Sequence, residues 1–162
     1  DRRSDMVSLA TENDRTLFFD FLPLDLGQIS GFTTRFQLYT VPGQVYYNAT
    51  RKLVLRGADG VVFVADSHPD RQDENIESLR NLQENLLEHG FDIREMPLVM
   101  QYNKQDLGDA VPAHDLDDLL NFRDVPSRPA AAIRGTGVIE TLRAIGDLVI
   151  GSVAQKYVPT PG

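Results

Sequence analysis

Two short apolar runs constrain this chain more than any other feature. Gly60 to Asp66 reads Gly-Val-Val-Phe-Val-Ala-Asp, and Pro97 to Tyr102 reads Pro-Leu-Val-Met-Gln-Tyr. A strand covered on one face alternates polar and apolar residues. A nearly continuous run marks a strand covered on both faces, as in parallel sheets. Parallel neighbours need a crossover. The segment Asp70 to His89 supplies it, with Ile76, Leu79, Leu82 and Leu86 near helical spacing and Gly90 as its stop.

The flanking segments extend this unit. Thr16 to Leu22 is short and aromatic-rich and reads as a strand. Pro23 to Gly31 carries a proline and two glycines and reads as a turn region. Phe32 to Thr40 alternates, and a β-hairpin joins it most simply to the first strand. Val45 to Arg56 reads as a helix closed by Gly57. After the second apolar run come a short helix over Ala113 to Leu120, a last strand over Arg128 to Ala132, and a final helix over Val138 to Lys156. That helix turns Ile139, Leu142, Ile145, Leu148 and Val149 inward. Strand–helix alternation behind a hairpin predicts a three-layer α/β fold, its sheet mostly parallel with one antiparallel hairpin strand. The length, 162 residues, suits one domain spanning 1–162.

Composition removes several function classes. Lys and Arg number 16 against 24 Asp and Glu, a net charge of −8 that phosphate backbones repel, so nucleic acid is not an expected partner. There is no cysteine, hence no disulfide, no thiolate metal site and no prenylation target. The absence of cysteine also fits a reducing compartment. No apolar run approaches the ~20 residues of a membrane span. The expectation is a chain with no membrane anchor of its own. His68, His89 and His114 lack metal-ligand spacing with carboxylates and read as surface residues. Asp115, Asp117 and Asp118 read as a solvated helix start.

In open α/β sheets, ligands bind outside the carboxyl ends of the strands. Those ends fall just after Thr40, Asp66, Tyr102 and Ala132. Asn103-Lys104-Gln105-Asp106 leaves the second apolar strand. An Asn-Lys-x-Asp placed there suits a guanine base. The aspartate accepts from the ring N–H and the exocyclic amine together, the asparagine fixes the loop and meets the other ring edge, and the lysine stem covers one face. The plain alternative is a polar turn. Such a tetrapeptide arises by chance in roughly one chain in fifty at average residue usage, so its position carries the weight.

Ala131-Ala132-Ile133 precedes Gly135-Thr136-Gly137, and a small residue there lets a backbone N–H approach a guanine oxygen; a glycine-rich helix entry explains it equally. Thr40-Val41-Pro42-Gly43-Gln44 ends the hairpin. Gly43 admits a backbone N–H to a γ-phosphate and Gln44 can orient a water, or the segment is an ordinary Pro-Gly turn. Arg15-Thr16 opens the first strand. A threonine hydroxyl can bind Mg²⁺ and an arginine can neutralise transition-state charge, or the pair is a plain strand entry.

The strings Val7–Glu12, Arg15–Leu24, Leu38–Gln44, Arg51–Gly57, Gly60–Ser67, Asn103–Asp106 and Gly137–Leu142 resemble the MglA-type bacterial Ras-like GTPases of gliding motility and cell polarity. The resemblance covers nearly the whole chain. It implies a Ras-like P-loop NTPase fold that cycles between GTP and GDP with Mg²⁺. It implies that Arg15 is an arginine finger supplied in cis, Gln44 positions the hydrolytic water, and Thr16 senses Mg²⁺ and the γ-phosphate. Thr40, where most Ras relatives carry aspartate, would reach Mg²⁺ through water. Asn103, Lys104 and Asp106 would select guanine, Ala132 would meet its oxygen, and Gly43 would approach the γ-phosphate. The implied partners are an MglB-like roadblock-family activator and downstream polarity and motility effectors. The implied location is the cytoplasm, with recruitment to a cell pole.

One departure stands out. The family places a strand, a Gly-x-x-x-x-Gly-Lys-Thr/Ser loop and a helix ahead of the position of Asp1, and no Gly-Lys pair occurs in the 162 residues. In Ras-like sheets that strand lies between the equivalents of Phe32–Thr40 and Gly60–Asp66. The expectation is therefore an N-terminally incomplete form of a longer GTPase. The alternative is a pseudo-GTPase module that contacts a roadblock-type partner without nucleotide.

Overall fold

The computed structural model describes residues 7–10, 18–29, 31–92 and 94–157. The chain divides into two compact units, Asp1–Gly57 and Ala58–Gly162. Each has its own three-stranded sheet.

In the first unit, β1 (Val7–Ala10) pairs antiparallel with β2 (Phe18–Ile29), which pairs antiparallel with β3 (Phe32–Tyr39). The expected hairpin forms, but its turn is tighter than Pro23 to Gly31. β2 runs on to Ile29, opposite Phe32. Among the described residues Pro23 pairs with β3 alone, opposite Gln37, the one-sided pairing at which a missing N–H is tolerated. A register shift between Asp25 and Gly27 absorbs the glycine, whose N–H bonds to Asp25 Oδ1 at 2.9 Å. β1 was not singled out as a strand from sequence.

A 3-10 turn over Val45–Tyr47 then leads into α1 (Asn48–Leu55). Arg51 on α1 is 4% exposed, and its Nη1 donates to the carbonyls of Pro42 at 3.1 Å and Gly43 at 2.9 Å. The loop after β3 is thereby tied to α1.

The second unit carries the two apolar runs as β4 (Val61–Asp66) and β5 (Leu98–Asn103), joined by α2 (Gln72–Glu88). They pair in parallel from Val61 opposite Leu98 to Asp66 opposite Asn103. β6 (Ser127–Pro129) adds to β5 in parallel. It is shorter than the expected strand because Ala132 opens a 3-10 turn. α3 (Ala113–Leu120) and α4 (Val138–Tyr157) complete the unit.

Side-chain alternation divides the core. Val99 packs with Ala144 and Ile145 of α4, joined by Val62, Leu142, Leu148 and Val149. On the opposite face, Leu98 and Met96 lie with Leu79, Leu82 and Leu86 of α2. This helix–sheet–helix layering is the one the continuous apolar runs require. Among the described residues, no helix is long and apolar enough to cross a membrane.

Candidate guanine-nucleotide site

The three parallel strands of the second unit end side by side, and the polar residues that follow them meet there. Asn103 closes β5. Its Oδ1 accepts the backbone N–H of Ala132 at 2.9 Å, across 29 residues of sequence. Gln105 N–H bonds to Ala130 O at 3.0 Å, and Ala130 N–H to Tyr102 O at 2.9 Å. Two segments read separately from sequence, Asn103–Asp106 and Ala131–Gly137, are thus stitched into one rim.

Lys104 takes a left-handed backbone, φ 69°, which costs a non-glycine residue about 1 kcal/mol or more. Its Nζ donates to Asp66 Oδ2 at 2.8 Å. Asp66 Oδ1 also accepts the N–H of His68 at 2.9 Å. Burial works to raise the Asp66 carboxyl, but the Lys104 bond and the His68 amide outweigh it and hold the group below the usual carboxylate range. The strand end is fixed from α2: Asn75 Nδ2 donates to Asp66 O at 2.9 Å and Asn75 Oδ1 accepts Asp66 N–H at 3.1 Å. Asp66, His68, Asp70, Arg71 and Lys104 line an open polar depression of about 250 Å³.

Asp106 is exposed, and its carboxylate has no hydrogen-bond partner among the described residues. A carboxylate so placed retains its full accepting capacity for a ligand. Ala132 is exposed at the same rim. Behind it, Gly137 approaches the β6 exit closely. A Cβ there would lie 2.3 Å from Pro129 O and 2.9 Å from Ala130 Cα.

The remaining candidates lie in the first unit or outside the described residues. Gly43 and Gln44 are exposed on the loop that Arg51 ties down, and a Cβ at Gly43 would meet nothing within 4 Å. Thr40 is exposed. Arg15 and Thr16 lie outside the described residues. Among the described residues, no group of three or more His, Asp or Glu side chains gathers to hold a metal ion. The described residues fit a Mg²⁺ that takes most of its ligands from waters and substrate phosphates.

Sequence reasoning missed four participants. Asp66 was read as a strand end, not as the partner of Lys104. Ser67 and Gln105 were not singled out, although Gln105 sits inside the tetrapeptide. Asp117 is more than a solvated helix residue, because Tyr102 Oη donates to its Oδ1 at 2.6 Å. Burial, reinforced by that carboxylate, pushes the Tyr102 phenol well above its ordinary value.

Comparison with known proteins identifies the family. Residues 24–148 match the ADP-ribosylation factor family. The chain is 57% identical over 145 residues to the mutual gliding-motility protein MglA of Myxococcus xanthus, an alignment covering 90% of this chain and 74% of that protein. It is 28% identical over 128 residues to ADP-ribosylation factor-like protein 4A of Homo sapiens and of Mus musculus, covering 73% of this chain and 60% of each relative. A three-layer parallel unit with an Asn-Lys-x-Asp rim, matched through most of its length by these proteins, places the chain in the ADP-ribosylation factor family of Ras-like small GTPases, as a member of MglA type.

Proposed function

We propose that this chain is the base-binding and switch portion of a guanine-nucleotide switch that hydrolyses GTP to GDP. The observation that carries the proposal is the bond from Ala132 N–H to Asn103 Oδ1, beside the exposed Asp106 carboxylate. Asp106 accepts from the ring N–H and the exocyclic amine of guanine, a pair adenine does not offer. The Lys104 stem, anchored by Asp66, covers the base. Asn103 orders the rim, and Ala132 meets the guanine oxygen by sharing or releasing the N–H that Asn103 Oδ1 accepts in this structure.

In the first unit, Gly43 N–H reaches the γ-phosphate and Gln44 orients the attacking water, while Arg15 neutralises charge as it develops. Mg²⁺, when bound, would neutralise phosphate charge, and Thr16, with Thr40 through water, would be the residues that hold it. The identity to a gliding-motility protein supports a role in motility; the family resemblance adds cell polarity, a cytoplasmic or polar location, a roadblock-family activator and polarity effectors.

The test is titration of fluorescent GDP and GTP, with Mg²⁺, into the intact protein, with ATP and xanthosine diphosphate as competitors. The expected result is submicromolar binding, little competition by ATP, and a shift toward xanthosine diphosphate in Asp106→Asn. That asparagine would accept from the xanthine ring N–H and donate to its neighbouring carbonyl. A folded protein that binds no guanine nucleotide would leave the partner-binding pseudo-GTPase standing.

A further inference from the structure

The variable position of the tetrapeptide has its own work in this structure. Gln105 Nε2 donates to Ser67 Oγ at 2.7 Å and to the carbonyl of Val111 at 2.9 Å. Ser67 is fully buried at the end of β4. Its N–H bonds to Asn103 O at 3.0 Å, and its own carbonyl accepts Val111 N–H at 2.8 Å. Gln105 N–H holds Ala130 O. One residue therefore ties together the exits of all three parallel strands and the end of the loop that carries Asp106.

The chemistry of the knot is specific. The amide nitrogen supplies two donors, one to a hydroxyl and one to a carbonyl. A side chain of equal length without donors would leave the Val111 carbonyl and the Ser67 hydroxyl each short of a bond. A shorter one would reach neither. Asp106 is the next residue along, so a shift of the Gln105 backbone moves the carboxylate directly.

We infer that Gln105 and Ser67 are positioning residues for guanine selection: they aim Asp106 so that both of its oxygens meet the base. This rests on the guanine reading above. A loop held loosely still presents a negative charge to the ring N–H, but it loses the second, geometrically demanding bond to the exocyclic amine. The predicted signature is loss of discrimination between GDP and inosine diphosphate, which lacks that amine.

The experiment measures GDP dissociation rates and the GDP-to-inosine-diphosphate affinity ratio for the intact protein, Gln105→Met and Ser67→Ala, with thermal melting of each. Gln105→Met removes two hydrogen bonds, and GDP release should quicken about tenfold while the ratio falls about fivefold. Ser67→Ala keeps the Val111 bond and should move both quantities the same way by less. A lower melting temperature with an unchanged ratio in both variants would overturn the inference and leave a plain structural brace. Failure of the unmodified protein to bind GDP would overturn the guanine reading and this inference with it.

Discussion

Gly137 offers the sharpest test of how the rim is built, because Gly135 provides an internal control two residues away. Both have left-handed backbones, φ 79° and 76°. An alanine at either position is strained by about 1 kcal/mol, partly offset by reduced freedom in the unfolded chain. At Gly135 that is the whole cost, since a Cβ would meet nothing within 4 Å. At Gly137 the Cβ would sit 2.3 Å from Pro129 O and 2.9 Å from Ala130 Cα. These are backbone atoms, so no rotamer change relieves the overlap.

Forced overpacking adds about 1–3 kcal/mol. Gly137 O also accepts from Thr141 Oγ1 at 2.6 Å, and a backbone shift weakens that bond. Gly137→Ala should therefore cost about 3 kcal/mol and Gly135→Ala about 1. For a chain of this size these correspond to melting decreases of about 10 °C and about 3 °C. Thermal unfolding followed by circular dichroism reads both. Equal decreases in the two variants would refute the close-approach argument and leave only the dihedral strain.

Other substitutions probe separate contacts. Tyr102→Phe removes the bond to Asp117 and should cost about 2 kcal/mol in urea unfolding. Burial raises the Asp117 carboxyl, but its hydrogen bonds now hold it below the ordinary range, so carboxyl NMR should show it titrating higher in this variant. Asp66, also depressed, contributes stability that is fully present above its unfolded value and is lost as pH falls through its folded one. The pH dependence of the urea midpoint below pH 4 should accordingly be shallower in Asp66→Asn, and an unchanged slope would remove the Lys104 pair from the account. Arg51→Met releases the carbonyls of Pro42 and Gly43. Amide exchange across the loop after β3 should quicken at least about tenfold, since each lost bond of a charged donor is worth about 1.5–3 kcal/mol.

The second unit was legible in sequence for a clear physical reason. Apolar runs leave a signature that needs no knowledge of their neighbours, and β4 and β5 start within a residue of the expected positions; β5 is buried on both faces as expected, whereas Val64 leaves one face of β4 half exposed. α3 spans the expected residues because its ends carry local signals. The long β2 was not legible. Proline and glycine are strong turn signals; among the described residues, one-sided pairing at Pro23 and the register shift before Gly27 make them compatible with a strand.

In the rim, the residue types of Asn103 and Ala132 were readable, but the bond between them was not. A contact across 29 residues depends on β6 finding β5. The Gln105–Ser67 bond, spanning 38 residues, was hidden for the same reason. Residues that act through a neighbour leave no pattern of their own.

The stitch between Asn103 and Ala132 has a temporal side. During synthesis, the strand that ends in Asn103, with Asp106 just after it, leaves the ribosome well before the segment that closes the rim. The delay is the time needed to add 29 residues, about 1.5–6 s at ordinary elongation rates. Until Ala132 emerges, Asn103 lacks its partner and the nascent chain has no finished pocket for a base. Cellular guanine nucleotide therefore cannot template the early folding of β4, α2 and β5 through this pocket.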